Sequence, residues 1–167
     1  ERALEASIEN YLTGTCLEEQ RGVREAVPFS HHHGYRLGQA GDFNARYAVD
    51  TRFLLQFLEN TQDEEITRLR DRYDNWQTRI LDRFDKLAKK YGTLHLLKRG
   101  LDIEDVHLNL MYPAPLASSS ARVKQNFEEN IFSSTRQVRY SMTNTLEEID
   151  MVLFLNGLPF ATLELKN

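Results

Sequence analysis

Hydrophobic residues in the first half of the chain recur at helical spacing. Residues 4–12 place their apolar side chains on one face, and Gly14 follows as a stop signal. The same spacing recurs over 42–59 and over 66–91, where Gly92 occupies the position of a C-terminal cap. These patterns predict a short N-terminal helix and two longer helices packed antiparallel. The apolar face of the first helix comprises Leu4, Ile8, Tyr11 and Leu12.

Strand-like alternation replaces the helical pattern after residue 100. Val106, Leu108, Leu110 and Tyr112 alternate with His107, Asn109 and Met111, and two prolines end that run. The serines at 118–120 can cap a short helix that ends near residue 130. A further strand is predicted around 138–140.

The C-terminal stretch predicts a β-hairpin. Residues 149–155 and 160–165 are mostly apolar on both faces, which is typical of strands inside a sheet that is covered on both sides. Asn156-Gly157 between them is the strongest hairpin signal in the sequence.

Together these elements predict an α/β domain. We expect a mixed sheet of four or five strands, flanked by the first helix and by the helix at 118–130, with a helical insertion at about 42–92. The hairpin at about 149–167 would carry the functional site. Because residues 1–167 begin without methionine and stop within a strand pattern, we expect the chain to be part of a longer polypeptide.

Composition narrows the class of protein. The 167 residues are 41% hydrophobic and 28% charged, as in ordinary globular proteins, and no segment reaches the roughly 20 apolar residues of a membrane span. A single cysteine, Cys16, excludes an internal disulfide and a cysteine-based zinc site, so we expect a cytoplasmic protein. The net charge of −4 confines any nucleic-acid contact to a local patch. We expect the histidines at 31–33 in a solvated loop, and no ATP site, because no glycine-rich phosphate motif occurs.

Three ionisable residues interrupt the apolar hairpin, namely Asp150, Glu164 and Lys166. Charges on central strands are costly unless they are paired or bound to a metal. With a two-residue loop Asp150 would lie opposite Leu163, whereas one added residue places it opposite Glu164. We therefore predict an odd-length loop, or a bulge, between Leu155 and Phe160.

That register would bring two carboxylates and one ammonium group together. Two carboxylates about 4–5 Å apart repel each other and bind a hard divalent cation such as Mg²⁺, which favours one or two carboxylates plus water. The carbonyl oxygen of Leu165 would be a further ligand, and Lys166 could orient water or stabilise charge on a phosphate. The alternative is a buried ion pair between Asp150 and Lys166, with Glu164 reaching solvent.

The hairpin also resembles a known family. Asp150 followed by Glu164-Leu165-Lys166 is similar to the PD-(D/E)xK nuclease motif, with Ile149 where a proline usually stands. The runs at 149–159 and 163–167 resemble the nuclease domain of type I restriction endonuclease R subunits. The runs at 126–132 and 136–140 and the first helix resemble that family as well.

This resemblance implies a restriction-endonuclease-like fold and Mg²⁺-dependent endonucleolytic cleavage of double-stranded DNA. It assigns Asp150 and Glu164 as metal ligands and Lys166 as the catalytic lysine. A further metal-site carboxylate on the first helix would fall on Glu5, with Glu1 and Glu9 as alternatives.

The resemblance implies partners too. In that family the R subunit joins the nuclease to ATP-driven DNA translocase domains, which lie outside this chain, and it works with modification and specificity subunits. Gln137 and several basic residues are candidate DNA contacts, and the basic residues are Arg122, Lys124, Arg136 and Arg139. Two other functions stay open: an inert module that docks DNA or another subunit, and a helical adaptor in which the hairpin charges merely pair.

Overall fold

The computed structural model describes residues 2–15, 34–144 and 146–166 and has a mixed α/β fold, which confirms the predicted fold class. Its α-helices are α1 (Arg2–Thr13), α2 (Thr51–Thr61), α3 (Asp63–Arg72), α4 (Trp76–Tyr91), α5 (Thr93–Arg99) and α6 (Ala121–Glu128). Its strands are β1 (Tyr35–Leu37), β2 (Phe43–Asn44), β3 (Val49–Asp50), β4 (Leu101–Ile103), β5 (Val106–Leu108), β6 (Phe132–Arg139), β7 (Glu148–Leu155) and β8 (Leu158–Leu163). Cys16 and the histidines at 31–33 lie outside the described residues.

The chain divides into two compact units. The first comprises Glu1–Asp50 and Ile131–Asn167, and the second comprises Thr51–Asn130. The first unit contains α1 and a four-stranded sheet, whereas the second contains α2 to α6 and the β4–β5 hairpin. The second unit starts later and ends later than the helical insertion predicted at 42–92.

The sheet of the first unit has the strand order β1-β6-β7-β8. β1 runs parallel to β6, and the other two pairings are antiparallel. One buried cluster in the described part of this unit comprises Val138, Val152 and Phe154, with Phe43 and Ile149 packed against them. Among the strands of the described residues, β7 has a partner on each side and β8 lies at the edge, so the prediction of two interior strands is confirmed for β7 only.

The hairpin of β7 and β8 combines a two-residue turn with a bulge. Asn156 and Gly157 form the turn, with φ angles of 51° and 77° in the left-handed region that such turns require. Pairing follows directly from the turn, but the register then shifts, so that Leu153 lies opposite Ala161 and Phe160 is the additional residue. The predicted bulge is confirmed, whereas the other form of that prediction, an odd-length loop, is wrong.

The helix predicted over 42–59 begins only at Thr51. The residues before it form the short antiparallel pair of β2 and β3. Between these strands the Oδ1 atom of Asn44 accepts the N–H of Arg46 at 3.1 Å, and Ala48 has a φ of 54°. These local contacts reverse the chain, and apolar spacing carries no signal for them.

The helix predicted over 66–91 is broken into two. α3 ends at Arg72 and α4 begins at Trp76. The apolar stripe continues across the break, so its members are buried in the second unit nevertheless. They include Ile66, Leu69, Trp76, Ile80 and Phe84. Gly92, with a φ of 83°, follows the end of α4 as predicted.

The later elements of the second unit are shorter than predicted. The strand expected over 106–112 is limited to β5, which pairs with β4. The predicted serine cap is confirmed, because the Oγ atom of Ser120 accepts the N–H of Val123 at the start of α6. None of the helices in the described part of the chain is long and apolar enough to cross a membrane.

Candidate active site

The turn of the β7–β8 hairpin is fixed to two other segments of the first unit. Asn156 is fully buried, its N–H donates to the carbonyl of Ile131 at 2.7 Å, and its Oδ1 accepts the N–H of Ile131 at 2.6 Å. The carbonyl of Gly157 accepts the N–H of Asp50 at 2.8 Å. These bonds anchor one end of the hairpin, and the predicted site residues lie at its other end.

The register brings Asp150 and Glu164 to the same end of the sheet. Met151 pairs with Leu163, the last residue of β8, and Asp150 and Glu164 are the next residues along the chain on the two sides of the hairpin. The Oδ2 atom of Asp150 accepts the N–H of Leu165 at 2.6 Å. The backbone after β8 therefore orients the Asp150 carboxylate.

Gln137 lies on the other side of Asp150. The pairs before and after it join β6 to β7 in a constant register, so Gln137 faces Asp150 across the strands. Its side chain is exposed, and its φ of 53° is a left-handed conformation that is uncommon outside glycine. Such backbone strain costs of order 1–3 kcal/mol and occurs frequently at functional sites.

The three predicted catalytic side chains differ in burial. Asp150 is half-buried, whereas Glu164 and Lys166 are exposed beyond the end of β8. Among the described residues, no ion pair joins Asp150 to Lys166, so the alternative of a buried pair is not found. The cluster was predicted because burying a charge is costly. Of the three residues, only Asp150 is buried enough to bear that cost.

Tyr140, directly after β6, is a neighbour of Glu164 that sequence analysis did not assign to the site. The negative charge of Glu147 raises the pKa of Tyr140, and partial desolvation, a hydrogen bond to Glu147 and the charge of Glu164 raise it further. No local pattern reveals this proximity, because it depends on the register of three strands.

Arg136 and Glu5 contact each other in the interior of the first unit. The Nε atom of Arg136 lies 3.0 Å from Oε2 of Glu5, and its Nη1 lies 3.2 Å from Oε2 of Glu9. Arg136 is only 4% exposed, so it does not present its guanidinium to DNA at the surface. The metal role of Glu5 stays a prediction, and Glu1 lies outside the described residues.

The same contacts correct the predicted apolar face of α1. The buried residues of this helix are Glu5, Glu9 and Thr13, whereas Leu4 and Tyr11 are 43% and 65% exposed. The helix itself is confirmed, but ion pairing to Arg136 rather than apolar packing determines which side it buries.

The remaining candidate DNA contacts are at the surface. Arg139 is exposed and pairs with Glu148 at 2.8 Å. Arg122 and Lys124 are exposed on α6, which belongs to the second unit. The roles of these residues and of Gln137 in DNA binding stay predictions.

Mg²⁺ prefers hard oxygen ligands, and carboxylates such as those of Asp150 and Glu164 are ligands of this kind. Within the described ranges, no group of three or more His, Cys, Asp and Glu side chains is placed to hold a metal ion. A Mg²⁺ ion held by two carboxylates would complete its octahedral shell with water.

Comparison with known proteins identifies the family. The fold is that of a mixed α/β protein with an acidic pair at one end of its sheet. Residues 23–167 match the family described as type I restriction enzyme R protein N terminus, and the chain belongs to this family. The matched region contains Asp150, Glu164 and Lys166 but not α1. Comparisons with curated proteins and with solved structures give no significant match.

Proposed function

We propose that this chain hydrolyses phosphodiester bonds of double-stranded DNA with Mg²⁺, as the PD-(D/E)xK nuclease part of a type I restriction enzyme R subunit. The register of β7 and β8 supports this proposal most strongly. Met151 pairs with Leu163, next to Asp150 and Glu164 along the chain, and the N–H of Leu165 donates to the Asp150 carboxylate. Family membership supplies the DNA context.

Each residue of the site has a separate role in this proposal. Asp150 and Glu164 would hold the cation, together with the carbonyl of Leu165. When bound, Mg²⁺ supplies a Lewis acid that lowers the pKa of water and neutralises phosphate charge. The exposed ammonium of Lys166 has three N–H donors, with which it orients the attacking water or binds a phosphate oxygen. Glu5 would assist as a further carboxylate.

The proposed partners follow from the family. Modification and specificity subunits would complete the enzyme, and translocase domains of the full-length chain would bind ATP. Recognition of a DNA sequence would reside in another subunit.

The full-length R subunit in its assembled complex provides the test. We expect Lys166→Ala to reduce DNA cleavage at least 100-fold while ATP hydrolysis and translocation continue, because the change removes one charged donor group at the surface. Lys89→Ala is the matched control, since Lys89 is an exposed lysine on α4 that pairs with Asp85. It should leave all three activities unchanged.

Two results would contradict this proposal. If the Lys166→Ala variant cleaved DNA at the wild-type rate, Lys166 would have no role in the reaction. Simultaneous loss of cleavage, ATP hydrolysis and translocation would instead favour an inert docking module or a helical adaptor.

A further inference from the structure

Helix α4 of the second unit carries a row of positive charges. Residues 76–99 contain seven Lys and Arg residues and only two Asp residues, in a chain whose net charge is −4. At 3.6 residues per turn, four of these cations fall within about 60° of the α4 surface and extend over about 16 Å. We call these four residues the basic stripe, and they are Arg79, Arg83, Lys86 and Lys90.

Neutral groups hold the two arginines of the basic stripe. Arg79 lies 3.7 Å from the centre of the Tyr73 ring, and its Nε donates to Oδ1 of Asn75 at 3.3 Å. The Nε of Arg83 donates to the backbone carbonyl of Asp102 at 2.9 Å. A neutral acceptor orients a guanidinium without cancelling its charge. The remaining N–H donors of both arginines therefore stay available to an external anion.

The basic stripe differs from neighbouring cations in its lack of carboxylate partners. Lys89 pairs with Asp85 at 2.7 Å, and Arg72 pairs with Asp105. In the part of the chain that the structure describes, none of the four stripe residues forms an ion pair. On a helix face that serves only solubility, ion pairs such as the one between Lys89 and Asp85 stabilise the helix. The separation of paired from unpaired cations on one helix indicates an external polyanion.

A surface groove runs along the basic stripe. Its lining includes three of the four stripe residues, Arg79, Arg83 and Lys86, together with Ile103 and Glu104 of the β4–β5 hairpin. Asp82 also lines the groove. Glu104 is engaged by Arg72 at 3.8 Å and by the hydroxyl of Tyr73, which reduces its repulsion of an anion.

We propose that the basic stripe binds the phosphates of the DNA backbone without reading sequence. Double-stranded DNA carries one negative charge per about 1.7 Å of its axis, so a stripe about 16 Å long can reach several phosphates. This inference rests on the proposed function only in its choice of DNA as the polyanion. It requires neither Asp150 nor a bound metal.

The test is binding of the whole chain to a fluorescent DNA duplex in EDTA at several salt concentrations. Phosphate contacts release counterions, so the slope of log affinity against log salt counts them at about 0.9 per contact. We expect Lys86→Gln combined with Lys90→Gln to make the slope about 1.8 less steep. Lys89→Gln, the same change on the same helix, should alter it by less than about 0.5.

The outcomes separate this inference from the nuclease proposal. Binding is measured in EDTA, which removes the cation that the nuclease proposal requires, and the stripe lies in the other unit. An unchanged slope in the double variant, or no measurable binding by wild type at low salt, would overturn the proposal that the basic stripe binds DNA. If the double variant had the slope of the wild type but no longer assembled with the other subunits, the basic stripe would bind a protein partner instead. Circular dichroism should show unchanged folding of the variants, since both lysines are exposed.

Discussion

Arg136 carries one positive charge into the interior of the first unit, where it meets two carboxylates. Glu5 and Glu9 are one helical turn apart on α1, so both can reach the same guanidinium, whose five N–H donors can serve both. Burying ions is costly, but removing one partner of a buried pair is costlier, because the other charge is left uncompensated. The position of α1 on the sheet therefore depends on Arg136.

We expect Arg136→Met to lower the free energy of unfolding by about 3–5 kcal/mol, because it removes the buried cation that faces two buried carboxylates. Urea unfolding measures the change. Arg139→Met on the same strand is the matched control. Its exposed pair with Glu148 should contribute only about 0–1 kcal/mol.

A rescue variant separates charge from packing. Adding Glu5→Gln and Glu9→Gln to Arg136→Met should recover part of the lost stability, since the amides carry no charge. If Arg136→Met weakens DNA binding but leaves the unfolding free energy unchanged, the structural role assigned to Arg136 is wrong.

The β7–β8 hairpin is the element that positions the site. Its two-residue turn is tied to Ile131 and Asp50 by backbone and side-chain hydrogen bonds, and its bulge at Phe160 adjusts the register further along. The bulge sets the pairing of Met151 with Leu163, which lie next to Asp150 and Glu164 along the chain. The turn contributes through two properties of Asn156, its left-handed backbone and its buried side-chain acceptor.

We expect Asn156→Ala to destabilise the chain by about 2–5 kcal/mol. The loss combines an unsatisfied N–H of Ile131, at about 1–3 kcal/mol, with the cost of a left-handed alanine, at about 1–2 kcal/mol. Asn156→Gly removes the same acceptor but tolerates the backbone, so it should be less destabilising by about 1 kcal/mol. Equal losses in urea unfolding would show that the left-handed conformation is not required.

Across the whole chain, the sequence predicted elements best where one local signal decides the structure. Asn156-Gly157 predicted its turn, Gly92 the end of α4, and Ser120 the cap of α6. The bulge followed from the requirement that Asp150 and Glu164 share one register. These features depend on residues that are close in sequence, or on one pairing.

The features that could not be predicted depend on distant contacts. β6 was recognised only near Val138, because its buried residues before that point are mainly polar: Ser133, Ser134, Thr135 and Arg136. Burial of Arg136 depends on α1, more than 120 residues away in the chain. The apolar face expected for α1 failed for the same reason. The orientation of α1 is determined by an ion pair with a residue that is distant in sequence, and the spacing of hydrophobic residues carries no information about such pairs.

The central claim is that Asp150 and Glu164 together bind a divalent cation. Its most direct test is a crystal structure of the chain soaked in Mn²⁺, with anomalous scattering to locate the metal. The account predicts a Mn²⁺ peak within about 2.5 Å of carboxylate oxygens of both residues. A structure in which the two side chains project from opposite sides of the sheet, or in which Asp150 has no metal beside it, would contradict the claim.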